Sequence, residues 1–197
     1  GRARRWAVVP AAGRGERIGG RVPKQYLPLL GRPVLSWSLA ALLAERSIHG
    51  VVVALAAGDR RFARLPEARD PRVRTCRGGA RRELSVVNAL DALADVARET
   101  DWVLVHDAAR PCLARADLRA LVAEVGDDPV GGLLAVPVGD TLKAAGHDGR
   151  AERTVSREPA SMYACCWTGV FSDSSTISHC EPVQAPWQPS ASAAAIC

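Results

Sequence analysis

Glycine and basic residues crowd the stretch Val8 to Leu27, VVPAAGRGERIGGRVPKQYL. Gly13, Gly15, Gly19 and Gly20 fall within eight residues, and Arg14, Arg17, Arg21 and Lys24 are threaded among them. Glycines let backbone N–H groups approach phosphate oxygens without a side chain in the way. Arg and Lys then neutralise the phosphates. A Walker loop fails, because Lys24 follows Pro23 and precedes Gln25 rather than Ser or Thr. A dinucleotide fingerprint fails too, because Gly13-Arg14-Gly15 continues as Glu16-Arg17-Ile18 with no third glycine. A nucleotidyltransferase loop remains, in which Gly-x-Gly-x-Arg wraps a nucleoside triphosphate and a lysine follows. The competing reading is a surface loop whose glycines only turn the chain.

A second group of reactive residues lies in Asp101 to Pro111, DWVLVHDAARP. Asp107 leaves the end of an apolar run, with Arg110 three residues on. A carboxylate at a strand's carboxyl end suits Mg²⁺, which takes oxygen ligands and bridges substrate phosphates. The competing role for Asp107 is a helix cap or turn former. His106 has no partner motif and reads as structural.

These residues need a frame, and the apolar pattern supplies one. Trp6–Val9, Val51–Leu55, Arg72–Cys76, Trp102–Val105 and Gly131–Val138 read as strands. Pro33–Leu43, Glu83–Arg98 and Asp117–Val125 have helical spacing, with Asp117 a possible N-cap. Alternation of continuous apolar strands with helices implies an α/β, Rossmann-like fold, a mostly parallel twisted sheet with helices on both faces. Ligands of such sheets sit beyond the carboxyl ends of the strands, where both reactive stretches fall.

The 197 residues suffice for one α/β domain or a domain with an extension. No apolar run approaches a membrane-spanning length, so no membrane partner is expected. The N-terminus GRARRWAVV runs directly into a strand without a separate signal segment, so a cytoplasmic location is expected. The net charge of +5 is spread along the chain, which argues against nucleic acid as a partner. Cys76 and Cys112 read as core thiols of a cytosolic protein.

Four segments occur together in one family: VVPAAGRGERIGGRVPKQYLPLLGRPVL, GGARRELSV, VLVHDAARP and VPVGDTLK. Over residues 5–157 the chain resembles the 2-C-methyl-D-erythritol 4-phosphate cytidylyltransferases, also called 4-diphosphocytidyl-2-C-methyl-D-erythritol synthases, of the non-mevalonate route to isoprenoids. The resemblance implies transfer of a cytidylyl group from CTP to 2-C-methyl-D-erythritol 4-phosphate, with release of pyrophosphate and with Mg²⁺ as cofactor. It implies that Pro10, Ala11, Ala12, Gly13 and Gly15 line the cytidine and phosphate site. Arg17 and Lys24 match the catalytic cations that stabilise the transition state. Gly79, Ser85 and Ala108 match positions near the cytosine and ribose; without the resemblance, Ser85 could equally cap a helix. Asp107 matches the acidic residue beside the metal and the methylerythritol. Thr141 and Arg157 match residues that bind the methylerythritol phosphate. Arg82, Arg110 and Lys143 fall in the same motifs. Ala80 departs from the acidic or polar residue expected there. The family also implies a homodimer, made by a β-arm spanning 139–157 that completes the neighbouring site.

From Glu158 the motifs stop. Residues 158–197 contain none of the 26 Lys and Arg, but four of the six cysteines, seven serines and four prolines. The family's GLWxAQTPQ-like segment and late Asn-x-Lys-x-Thr element are absent. A nucleotidyltransferase domain over 1–157 and a divergent, non-native tail over 158–197, produced by an altered reading frame or a truncated gene, are therefore expected, with the sheet left unfinished. Two alternatives to the active enzyme follow: a catalytically impaired homologue, or another sugar-phosphate nucleotidyltransferase.

Overall fold

The computed structural model describes residues 3–13, 22–125, 128, 131–137, 141–155, 163–171 and 194–195. Strand β1 (Arg5–Ala11) is followed by a small antiparallel pair, β2 (Pro28–Leu29) and β3 (Arg32–Pro33), and helix α1 (Val34–Ala44). Then come β4 (Ile48–Leu55), β5 (Val73–Arg77), α2 (Arg82–Asp91), β6 (Trp102–His106), α3 (Arg115–Val125) and β7 (Gly132–Pro137). A hairpin of β8 (Leu142–Ala145) and β9 (Ala151–Val155) precedes β10 (Tyr163–Phe171) and β11 (Ala194–Ala195).

The main sheet has seven strands in the order β11-β7-β10-β6-β1-β4-β5. β1 pairs in parallel with β4 and β6, and β4 with β5. β10 is antiparallel to both β6 and β7, so β7 runs the same way as β6. Five of the seven strands thus share one direction. The alternating side chains of β1 explain why it lies inside the sheet. Ala7, Val9 and Ala11 join a core with Leu35, Leu39 and Leu42 of α1 and Leu118 and Leu121 of α3. Trp6 and Val8 join a second core on the opposite face, with Val86 and Ala89 of α2. A strand buried on both faces must be apolar throughout, as this one is.

Chain order decides where the cleft lies. From β1 the chain moves outward to β4 and β5, then returns to place β6 on the other side of β1. Connections from the two strands leave in opposite directions, which opens a crevice at their carboxyl ends. The lower ends are closed by one buried carboxylate. Asp101 accepts hydrogen bonds from the Arg4 backbone at 2.9 Å, Arg4 Nε at 2.9 Å, Trp6 Nε1 at 3.0 Å and the Arg98 backbone at 3.0 Å. Burial pushes this carboxyl up, but the donors outweigh it and hold the group well below the ordinary carboxylate range.

Several expectations need correction. The second helix ends at Asp91 rather than Arg98. Its continuation tightens into turns, in which Leu93, Ala94 and Val96 donate to carbonyls three residues back. The third helix begins at Arg115, so Asp117 lies in its first turn, where its charge suits the helix dipole, and is not the N-cap. Cys112 is exposed and Cys76 half-buried, so neither is a core thiol. The sheet is not left unfinished after the hairpin. The backbone of Tyr163–Phe171 lies between β6 and β7 and supplies the missing ladder to both.

Candidate active site

The first glycine-rich stretch begins where β1 ends. Ala11 is still paired with Leu55, and Ala12 and Gly13 continue beyond the sheet. A Cβ on Gly13 would meet no described atom within 4 Å. Lys24 opens a short 3-10 turn, Lys24–Tyr26, which returns the chain to the same place. Gln25 is buried and donates from Nε2 to the Ala11 carbonyl at 2.7 Å and the Gly13 carbonyl at 3.1 Å. Tyr26 is buried too, and its hydroxyl donates to Asp59 Oδ2 at 2.8 Å. Burial first and the Asp59 carboxylate second push this phenol far up, so it stays a neutral donor.

The second wall comes from the turn between β5 and α2. Gly78 and Gly79 are required by crowding: a Cβ on Gly78 would collide with Cβ of Ala12, and one on Gly79 with Cβ of Leu84. Ser85 ties this turn to the helix. Its Oγ accepts from the Gly79 N–H at 3.1 Å and donates to the Arg81 carbonyl at 3.1 Å. Arg81 is the N-cap residue and has no side-chain cap, so Ser85 acts from inside the helix rather than capping it.

The third wall is the end of β6. Asp107 keeps 23% side-chain exposure. It accepts from Arg82 Nε at 2.8 Å through Oδ1 and from Arg110 Nε at 3.0 Å through Oδ2. His106 is buried, and burial lowers its imidazole below the ordinary value, favouring the neutral ring. Its Nε2 lies 3.1 Å from the Arg110 carbonyl. A carbonyl only accepts, so Nε2 donates there and closes the turn after Asp107.

These walls enclose a cleft of about 190 Å³. Pro10, Ala11, Ala12, Gly13, Lys24, Gly79, Ser85, Asp107 and Ala108, all singled out from sequence, line it together. Gln25, Ala80, Arg81, Arg82 and Ala109 line it as well. Gln25, Arg81 and Ala109 were missed. A glutamine beside a lysine carries no sequence signal that its amide turns inward, and Arg81 reads as one more surface arginine. Thr141 is exposed at the base of the β8–β9 hairpin and is not among the residues lining the cleft. Lys143 is also on the hairpin, 2.6 Å from Thr154 Oγ1. Gly15, Arg17 and Arg157 lie outside the described residues, as do the ends of the expected arm at 139–140 and 156–157.

Among the described residues, no group of three or more His, Cys, Asp or Glu could hold a metal by itself. The donor set nevertheless fits a magnesium ion held mainly by substrate. Such ions use one or two carboxylates plus phosphate oxygens and water. Asp107 offers one carboxylate, and each oxygen retains a lone pair beyond its arginine contact.

The family model of 2-C-methyl-D-erythritol 4-phosphate cytidylyltransferase matches residues 6–180. The chain belongs to this family. A family protein of Pseudomonas putida (strain W619) is 54% identical over 153 residues, covering 77% of this chain and 65% of that protein. One from Xanthomonas euvesicatoria pv. vesicatoria (strain 85-10) is 52% identical, covering 78% of this chain and 58% of that protein. The chain therefore spans less than two thirds of the length of these relatives. A crystal structure of a 4-diphosphocytidyl-2C-methyl-D-erythritol synthase superposes with a TM-score of 0.74 at 32% identity, covering 87% of this chain and 76% of that one. The family structure from Thermus thermophilus gives 0.63 at 31% identity, covering 84% and 70%. The family assignment and the α/β nucleotidyltransferase-like fold agree with the reading of the sequence. The family model reaches residue 180, past Glu158, where the recognisable motifs end.

Proposed function

We propose that this chain transfers a cytidylyl group from CTP to 2-C-methyl-D-erythritol 4-phosphate, in the non-mevalonate route to isoprenoids. The observation that carries the reading is the cleft itself. The Pro10–Gly13 segment that opens the glycine-rich stretch, a lysine and a carboxylate meet at the carboxyl ends of β1 and β6, in a member of a cytidylyltransferase family. In the transfer, an oxygen of the methylerythritol phosphate forms a bond to the α-phosphorus of CTP. The bond from that phosphorus to the β-phosphate oxygen breaks, and pyrophosphate leaves with the electron pair. Little covalent help is needed, so positioning and electrostatic stabilisation supply the rate.

In this reading Pro10–Gly13 receive the nucleotide, and Gly15 keeps the loop open to the triphosphate. Gly79, Ser85 and Ala108 border the base and ribose. Lys24 and Arg17 stabilise charge on the α-phosphoryl oxygens and the departing pyrophosphate. Asp107 would hold Mg²⁺, which would neutralise phosphate charge when bound. The two arginines on Asp107 aim its carboxylate before substrate arrives. Thr141 and Arg157 receive the second substrate on a neighbouring subunit. That placement is supported by the hairpin, whose strand β9 is exposed at four of five positions and whose base leaves Thr141 exposed outside its own cleft. A homodimer located in the cytoplasm completes the proposal. No helix among the described residues is long and apolar enough to cross a membrane.

Residues 1–157 are proposed as the nucleotidyltransferase domain, and 158–197 as a stretch whose motifs diverge through an altered reading frame. The alignments to the relatives span 153 residues, about the length of that domain, whereas the family model runs on to residue 180. Reading the encoding DNA in the other two frames tests it; a DNA with no TPQ or Asn-x-Lys-x-Thr in either frame rules it out. The activity is tested by pyrophosphate release from CTP with the methylerythritol phosphate, with GTP and UTP as controls. Release dependent on both substrates and on CTP supports the reading. No release, with CTP still bound, would identify an impaired homologue instead.

A further inference from the structure

The proposed transfer needs Lys24 and the Ala11–Gly13 backbone to face one substrate, yet they lie on separate pieces of chain. Gln25 joins them. An amide nitrogen carries two hydrogens, and Gln25 has a loop carbonyl acceptor for each, at 2.7 Å on Ala11 and 3.1 Å on Gly13. The residue is only 2% exposed, so water does not compete for these bonds. Its neighbours leave the turn little freedom. The Tyr26 N–H donates to the Pro23 carbonyl at 2.9 Å, and the Tyr26 hydroxyl is held by Asp59. A trans peptide carries its N–H opposite its C=O, so tying down the Ala11 carbonyl also sets the direction of the Ala12 N–H.

We infer that Gln25 is a positioning residue: its buried amide locks the Ala11–Gly13 backbone to the Lys24 turn, so that this backbone and the lysine ammonium meet the triphosphate as one preformed unit. The inference rests on the proposed activity for its catalytic part, but the lock itself exists in the chain without substrate. Preformed donors give most to a reaction when they need not reorganise as charge develops. A Gln25 confined to packing would matter by volume alone; a lock depends on its two donors.

The test compares Gln25→Leu, which removes both donors, with Gln25→Glu, which keeps the size and replaces donor by acceptor. Hydrogen–deuterium exchange on the unliganded chain is the first readout. Amides of 11–13 and 24–27 should exchange on the order of tenfold faster in both variants, while Val51–Val53 stay protected. Unchanged exchange in either segment, or a Gln25→Glu chain that behaves as the parent, overturns the lock. Pyrophosphate release is the second readout. Each variant should lower kcat by on the order of tenfold in the parent chain and much less in a Lys24→Ala chain, because residues acting as one unit are not additive. Full additivity would overturn the coupling to Lys24. A parent chain that releases no pyrophosphate, but whose exchange responds as described, would defeat the proposed activity and leave the lock standing.

Discussion

Asp101 and Asp107 stand at opposite ends of the same five-residue strand, β6, and do opposite things. Asp101 is shut beneath the sheet with no exposed side-chain surface, and its donors come from Arg4, Trp6 and Arg98. Asp107 opens onto the cleft, and its donors are the two arginine side chains at its rim. One carboxylate ties β1 to β6; the other borders the open cleft. The lesson is directional. In a sheet whose strands mostly share one direction, polar groups at the amino ends are spent on closing the fold. Those at the carboxyl ends remain for chemistry.

The sharpest contrast should come from Lys24 at the open end. Lys24→Ala removes the ammonium proposed to stabilise the transition state and should lower kcat on the order of 10² to 10³, about 3–4 kcal/mol, with an unchanged thermal melt. Steady-state pyrophosphate release checks it. At the closed end, Asp101→Ala should lose about 3 kcal/mol of stability, because several buried donors lose their acceptor. Urea unfolding should show the loss while kcat per folded chain stays the same. If Asp101→Ala cut kcat as deeply as Lys24→Ala, the division between the two ends would break.

Asp107→Asn should act on the metal rather than on the fold. A neutral amide is a poorer magnesium ligand, so half-saturation should need on the order of tenfold more Mg²⁺. A superimposable magnesium titration would remove Asp107 from that role. The smallest effect is on acid stability. The Asp101 carboxyl is depressed in the folded chain, so its contribution is fully present above the unfolded value near 3.8 and is lost as pH falls below it. The parent's melting temperature should therefore drop more steeply below about pH 4 than that of Asp101→Asn, which has no such proton to take up. Parallel curves would show that Asp101 gains nothing from its donors.

Much of the site was legible because phosphate chemistry restricts residue type. Backbone close to phosphates favours glycine, and stabilising charge on phosphates calls for Lys, Arg and a metal-binding carboxylate. Gly13, Lys24 and Asp107 could thus be picked out from their types and neighbours, Gly79 through the family resemblance, and the structure brings them to one cleft. Gln25 could not, because a glutamine is equally at home in solvent and only its burial against Ala11 and Gly13 reveals its bonds. The same limit hid Asp101, whose partners Arg4 and Trp6 are more than 90 residues away.

The amino-acid sequence by itself determined the alternation of strands and helices, since a strand buried on both faces must be apolar from end to end, as Trp6–Val9 and Val51–Ala54 are. It determined the family as well, because PAAGRGER, PKQY and HDAARP combine demands that few folds share. Tertiary structure decided the order of the strands, and with it the meeting of residues 10–13, 24–25, 79–85 and 107–109. It also decided that Tyr163–Phe171 runs between β6 and β7. Backbone hydrogen bonding is indifferent to side-chain motif, so a segment without the family's signatures can still complete a sheet whose open edges would otherwise be left unpaired.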